Sequence, residues 1–130
     1  MVKKLLAKLW VPLLWTAVME TLYCLPGSSL PDPESLHIPS LDKLVHVFLF
    51  ATFVSLWCYY FYRKEKSPQS LKIIFFAVYL FAAFNGVLIE FLQRDFIPGR
   101  SFDTVDIIAD MTGASLAYGV CNIKLLKTSV

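Results

Sequence analysis

Charge is what this 130-residue chain has least of: Asp, Glu, Lys and Arg make up 17% of it, against 57% hydrophobic residues. A soluble two-layer fold of this size would have too little polar surface to cover it. The formal net charge is only +2, which points to no nucleic-acid partner. Cys24, Cys58 and Cys121 have neither metal-site spacing nor the even count of a disulfide framework, and read as small apolar fillers. There is no glycine-rich phosphate loop, no His-Glu-x-x-His and no Gly-x-Ser-x-Gly elbow. No cofactor is indicated.

What the chain does have is long apolar runs. Spanning a hydrocarbon core takes about 20 mostly apolar residues. Four segments meet that need, at about residues 4–25, 42–62, 73–92 and 104–123. They use nearly the whole chain, so residues 1–130 form one domain, expected to be an all-α, integral membrane four-helix bundle. The first segment also fits a cleaved signal peptide, but its length, Glu20 and the lack of an Ala-x-Ala site favour a retained helix. Pro12 predicts a slight kink there. Trp10 and Trp15 suit either the inner interface or the core. Residues 26–40 hold four of the seven prolines and read as an extended polar loop carrying Asp32 and His37. Ser40 or Asp42 then caps the second segment, which closes on the aromatic belt Trp57, Tyr59, Tyr60 and Tyr62.

The basic residues set an orientation. Nine of the twelve (Lys3, Lys4, Lys8, Arg63, Lys64, Lys66, Lys72, Lys124 and Lys127) fall at the termini and the middle loop, while Lys43, Arg94 and Arg100 fall on the opposite side. The positive-inside rule then puts both termini in the cytoplasm, and a short outer hairpin loop joins the third and fourth segments. The expected location is the bacterial inner (cytoplasmic) membrane, crossed several times, with the lipid bilayer as the first partner.

That topology brings scattered polar residues to one depth. Glu20 lies near the outer end of the first segment, and Asp42, Lys43 and His46 open the second. Glu90 and Gln93 close the third; Asp103, Asp106 and Asp110 open the fourth. Ionisable side chains are costly in a bilayer, so they face the bundle interior or a wet cavity and often mark function. Spacings of three and four residues place Lys43 with His46, Glu90 with Gln93, and Asp106 with Asp110 on shared helix faces. His46, Glu90, Asp106 and Asp110 are the candidate catalytic residues; Lys43, Gln93, Arg100 and Asp103 are the candidate ligand-binding ones. Arg100, beside Gly99, suits a phosphate or carboxylate because its guanidinium forks into two hydrogen bonds. The bland alternative is a buried ion-pair network that fixes helix register. A metal on His46, Glu90 and Asp106 has no ligand motif behind it, and none is assigned. Ala109, Gly113 and Ala117, with Ala82 and Gly86, predict a close hairpin of the third and fourth segments.

At these residues the chain resembles the VanZ-like family of small bacterial membrane proteins. The resemblance rests on Asp42-Lys43 with His46, Phe48 and Phe50, on Glu90-x-x-Gln93, on Gly99-Arg100, and on Asp106 with Gly113. Pro26-Gly27-Ser28-Ser29-Leu30-Pro31 matches as well, and the likeness covers about residues 20–119. Asp110 departs from it, standing where asparagine is usual. The resemblance implies an association with susceptibility to the glycopeptide teicoplanin, without a defined chemistry.

The function expected on these grounds is an outward-facing polar pocket that binds or modifies a cell-envelope lipid headgroup or a lipid-linked peptidoglycan precursor. An enzyme would use His46, Glu90 or Asp106 as general acid or base. The rival is a structural or partner-binding subunit whose charges fix helix packing. Transport is disfavoured, since no inverted repeat is visible.

Overall fold

The computed structural model describes residues 2–29, 41–65 and 67–126, and every regular element among them is helical. The elements are α1 (Val2–Leu6), α2 (Trp10–Tyr23), α3 (Leu41–Lys64), α4 (Pro68–Phe96) and α5 (Thr104–Cys121). A short 3-10 turn at Gly27–Ser29 follows α2, and a π turn at Asn122–Leu126 follows α5. The expected cap Ser40, together with Asp32, His37 and Lys127, lies outside the described residues.

The first apolar segment is not one helix. It breaks between Leu6 and Trp10, and α2 alone is 14 residues, about 21 Å long. Pro12 therefore kinks nothing. It sits in the first turn of α2, where the N–H groups have no intrahelical acceptor, so its missing donor costs no helical bond. By contrast α3 and α4 are each long and apolar enough to cross a membrane. Helix α4 overruns the predicted 73–92 at both ends. It starts where Ser67 accepts from Ser70 N and Pro68 occupies the first helical position.

The packing is built around α3 and α5, which share the longest seam; α4 lies against both, and α2 leans on α3. Trp15 donates from Nε1 to the Leu49 carbonyl at 3.2 Å, and Trp57 donates to Thr16 Oγ1 at 3.2 Å, tying α2 to α3. Trp15 is thus a packing residue, whereas Trp10 is exposed. Phe50, Phe53, Val54, Leu71, Phe75 and Met19 fill the centre. Cys58 and Cys121 are buried, as fillers should be, and Cys24 is exposed.

The small residues of α5 act differently from expectation. The closest backbone approach at Gly113 is to α3: a Cβ there would run into the Val47 carbonyl. Gly86 of α4 serves the α4–α5 contact instead, with its Cα against the Asp110 side chain. The outer surface of the helices is apolar, with Leu44, Phe48, Ile73, Phe84, Ile108 and Val120 all exposed. The buried interior carries charge: His46, Glu90, Asp106 and Asp110.

Candidate functional site

The polar residues gather where the C-terminal ends of α2 and α4 meet the N-terminal ends of α3 and α5. Two loops seal that end. Gly27 N donates to the Pro98 carbonyl at 3.1 Å, and a Cβ on Gly27 would strike the Gly99 carbonyl. Gly99 itself has φ 73°, a left-handed conformation that glycine adopts without a steric penalty. Gln93 then donates to the Tyr23 carbonyl at 3.0 Å, satisfying one of the acceptors that the end of α2 leaves open.

Asp110 and Lys43 are the two hubs. Asp110 Oδ1 accepts the Tyr23 hydroxyl at 3.1 Å and lies 2.9 Å from His46 Nδ1. With Asp110 ionised, its carboxylate only accepts and Nδ1 carries the proton in that pair. The other ring nitrogen, Nε2, lies 3.7 Å from Asp106 Oδ1. The Tyr23 and His46 rings meet edge to face, their centroids 5.0 Å apart. Lys43 Nζ bonds Asp103 Oδ2 at 2.7 Å and Asp42 Oδ2 at 3.1 Å, and it also bonds Asp106 Oδ1. Asp42 is therefore not a cap: it lies inside the first turn of α3, where the helix dipole favours a negative charge.

Glu90 is the best buried acid, with 0% of its surface exposed. Its Oε2 accepts Asp103 N at 2.7 Å, which fixes the start of α5 to α4. Among the described residues its Oε1 has no hydrogen-bond partner, and neither does Asp110 Oδ2. Immediately before Gly86 in α4, and five residues before Glu90, Asn85 donates to Glu20 at 2.7 Å between α4 and α2. Beyond that pair, between α2, α3 and α4, runs an open apolar groove of about 490 Å³, lined by Thr16, Phe53, Trp57, Val78 and Phe81 among others.

Not every predicted residue joins the cluster. Arg100 reaches no carboxylate among the described residues; its Nε makes a long 3.5 Å contact to the Leu25 carbonyl, closing the loop seal. Lys43 is fully engaged by three acids, which leaves it poorly placed to hold an anionic ligand as well. Sequence reasoning missed Tyr23 and Asn85. Tyr23 stands three residues after Glu20, on the same face of α2, and Asn85 is a lone amide in the apolar run of α4. Both signals were present.

Asp103 shows how the ion pairs respond to pH. It caps α5, accepting Val105 N at 2.8 Å, and its side chain is 40% exposed. The hydrogen bond from the Lys43 ammonium holds its carboxyl below the usual carboxylate range. Unfolded, an aspartate titrates near about 3.9. The unfolded state thus takes up the proton first as pH falls. The contribution is complete above the unfolded value and is lost as pH drops through the folded one. Asn caps as well as Asp, so Asp103→Asn is expected to flatten this acid limb and keep the cap. Asp103→Ala also loses the cap, about 1 kcal/mol at neutral pH. Thermal unfolding of the three proteins in detergent between about pH 3 and about pH 7 checks this.

Comparison with known proteins bears on the same residues. No solved structure matches the chain. An uncharacterised protein of the fission yeast Schizosaccharomyces pombe is 32% identical over 85 residues, which is 64% of this chain and 48% of the yeast protein. The chain spans about half the length of that relative. The VanZ/LLP1 family model matches residues 4–126, taking in α2 to α5 and the whole polar cluster, and the chain belongs to the VanZ/LLP1 family.

Proposed function

We propose that this VanZ/LLP1 protein is a multi-pass membrane protein, both termini cytoplasmic, that binds the polar head of an envelope lipid or lipid-linked precursor. The observation that carries this reading is the inversion of the molecule: apolar side chains cover its outside, while His46, Glu90, Gln93, Asp106 and Asp110 are buried together at one end. Nine of the twelve basic residues fall toward the other end by their places in the chain, which puts the cluster in the leaflet away from the cytoplasm. The apolar groove beneath the Glu20–Asn85 pair suits the alkyl part of the same amphiphile. In a bacterial envelope such binding would be the route to any change in teicoplanin susceptibility.

Binding needs only the buried acceptors; bond breaking would use His46 Nε2 as a general base, with Nδ1 held by Asp110 at 2.9 Å and Nε2 itself 3.7 Å from Asp106, beyond hydrogen-bond distance. One observation favours the structural rival: Lys43 joins acids from α3, from the loop before α5 and from α5, as a register pin would. Lipid analysis separates the two. The full chain purified in mild detergent is expected to retain a lipid enriched over its share of the host membrane, and Glu90→Gln is expected to lose that enrichment. A retained lipid profile equal to that of the bulk membrane would leave only the structural role.

A further inference from the structure

The binding reading leaves open which chemical group the cluster takes, and the obvious choice, a phosphate on basic side chains, does not fit the geometry. Lys43 is occupied by three carboxylates, and Arg100 lies in the loop seal. Among the described residues the cluster holds Asp42, Glu90, Asp103, Asp106 and Asp110 against Lys43 and, when protonated, His46. It has an excess of acceptors and a deficit of positive charge.

Two of those acceptors are idle. Glu90 Oε1 and Asp110 Oδ2 are buried without a hydrogen-bond partner among the described residues, in residues 0% and 1% exposed. An unmet buried acceptor costs on the order of 1–3 kcal/mol, so native proteins rarely keep one without a use. The two come from helices α4 and α5, which pack on each other. Asp110 Oδ2 lies against Gly86, where a Cβ would sit 3.2 Å from it. Glu90 is one helical turn from Gly86 on the same face of α4, roughly 5 Å along the axis. A nitrogen at normal hydrogen-bond distance from two oxygens bridges a gap of up to about 5.6 Å. The other oxygen of Glu90, Oε2, reaches the loop before α5, where the Asp103 side chain is 40% exposed.

We infer that Glu90 Oε1 and Asp110 Oδ2 are the seat of a primary ammonium group, as carried by an aminoethyl phospholipid headgroup. An ammonium brings three N–H donors and one positive charge, supplying both of what the cluster lacks. A trimethylammonium has the charge but no N–H, and a glycerol headgroup has donors but no positive charge.

This inference rests on the binding reading, and the test keeps the two apart. Thermal unfolding of the full chain in detergent is followed with dioctanoyl phosphatidylethanolamine, phosphatidylcholine and phosphatidylglycerol, and with free ethanolamine. The ethanolamine lipid is expected to raise the melting temperature at concentrations where the other two lipids do not. Free ethanolamine doing the same alone would assign the site to a soluble amine rather than a lipid, with the ammonium seat intact. Glu90→Gln keeps an oxygen for Asp103 N but turns an N–H₂ toward the ligand, and is expected to weaken the ethanolamine lipid about tenfold or more. Equal shifts from all three lipids, or a preference for the glycerol lipid, would overturn the ammonium assignment and leave lipid binding standing. No shift with any lipid would remove both. If the variant does not fold, the headgroup comparison on the wild type decides alone.

Discussion

Gly113→Leu is expected to yield no stably folded protein. Even a methyl at that position would overlap the Val47 carbonyl of α3, which is backbone and cannot rotate away. The helices would have to part along α3–α5, the longest seam in the molecule. Ordinary overpacking costs about 1–3 kcal/mol, and this case lies above that range because rigid backbone stands on both sides. Gly119, with open space around its Cα, is the control: Gly119→Ala should be tolerated. Recovery of monodisperse protein in detergent, with its melting temperature, reads out both. A Gly113→Leu protein that melts like wild type would show that α3 and α5 do not approach as described.

The second large effect belongs to Lys43. Lys43→Met keeps the length of the stem and removes the one ammonium that Asp42, Asp103 and Asp106 share. Asp106 is the costly one to strand, with a side chain only 12% exposed. Removing one partner of such a pair costs about 3 kcal/mol, most of it from the uncompensated charge left behind. Asp42 and Asp103 are more exposed and add little. Adding Asp106→Asn should therefore restore at least about 1 kcal/mol of the loss, a coupling that a double-mutant cycle on thermal unfolding measures directly. If the double variant is no more stable than Lys43→Met, the stranded carboxylate is not the cause.

Much of this architecture was legible before any coordinates. The apolar runs located α3, α4 and α5, and the depth of Glu90, Asp106, Asp110, Lys43 and His46 in those runs brought them to one end. What sequence spacing supplies is a helix face, and a face does not name its neighbour. Ala109, Gly113 and Ala117 marked a surface for close approach, but only the packing shows Gly113 meeting α3. Arg100 reads from the sequence as a residue suited to a phosphate or carboxylate; its place in the loop seal follows from Gly27 and Pro98, far apart in sequence. Some misses were avoidable. Ser67-Pro68 is a helix-start signal that outranks apolar content, and it sets the beginning of α4. Pro12 belongs to a first turn because the chain breaks before it, at Ala7–Leu9, where no breaker residue announces the break.

The contrast between Lys43 and Glu90 holds the whole account together. One is a cation that the fold needs; the other is an acid with one oxygen holding the start of α5 and one idle, and the idle oxygen is the one we propose for a ligand. The direct measurement is thermal unfolding of Glu90→Gln beside wild type in lipid-free detergent. The account predicts that the variant melts at or above the wild-type temperature, because it removes a buried charge with an idle oxygen and retains the acceptor for Asp103 N. A variant that melts several degrees lower would contradict it, and would make the Glu90 carboxylate a structural strut.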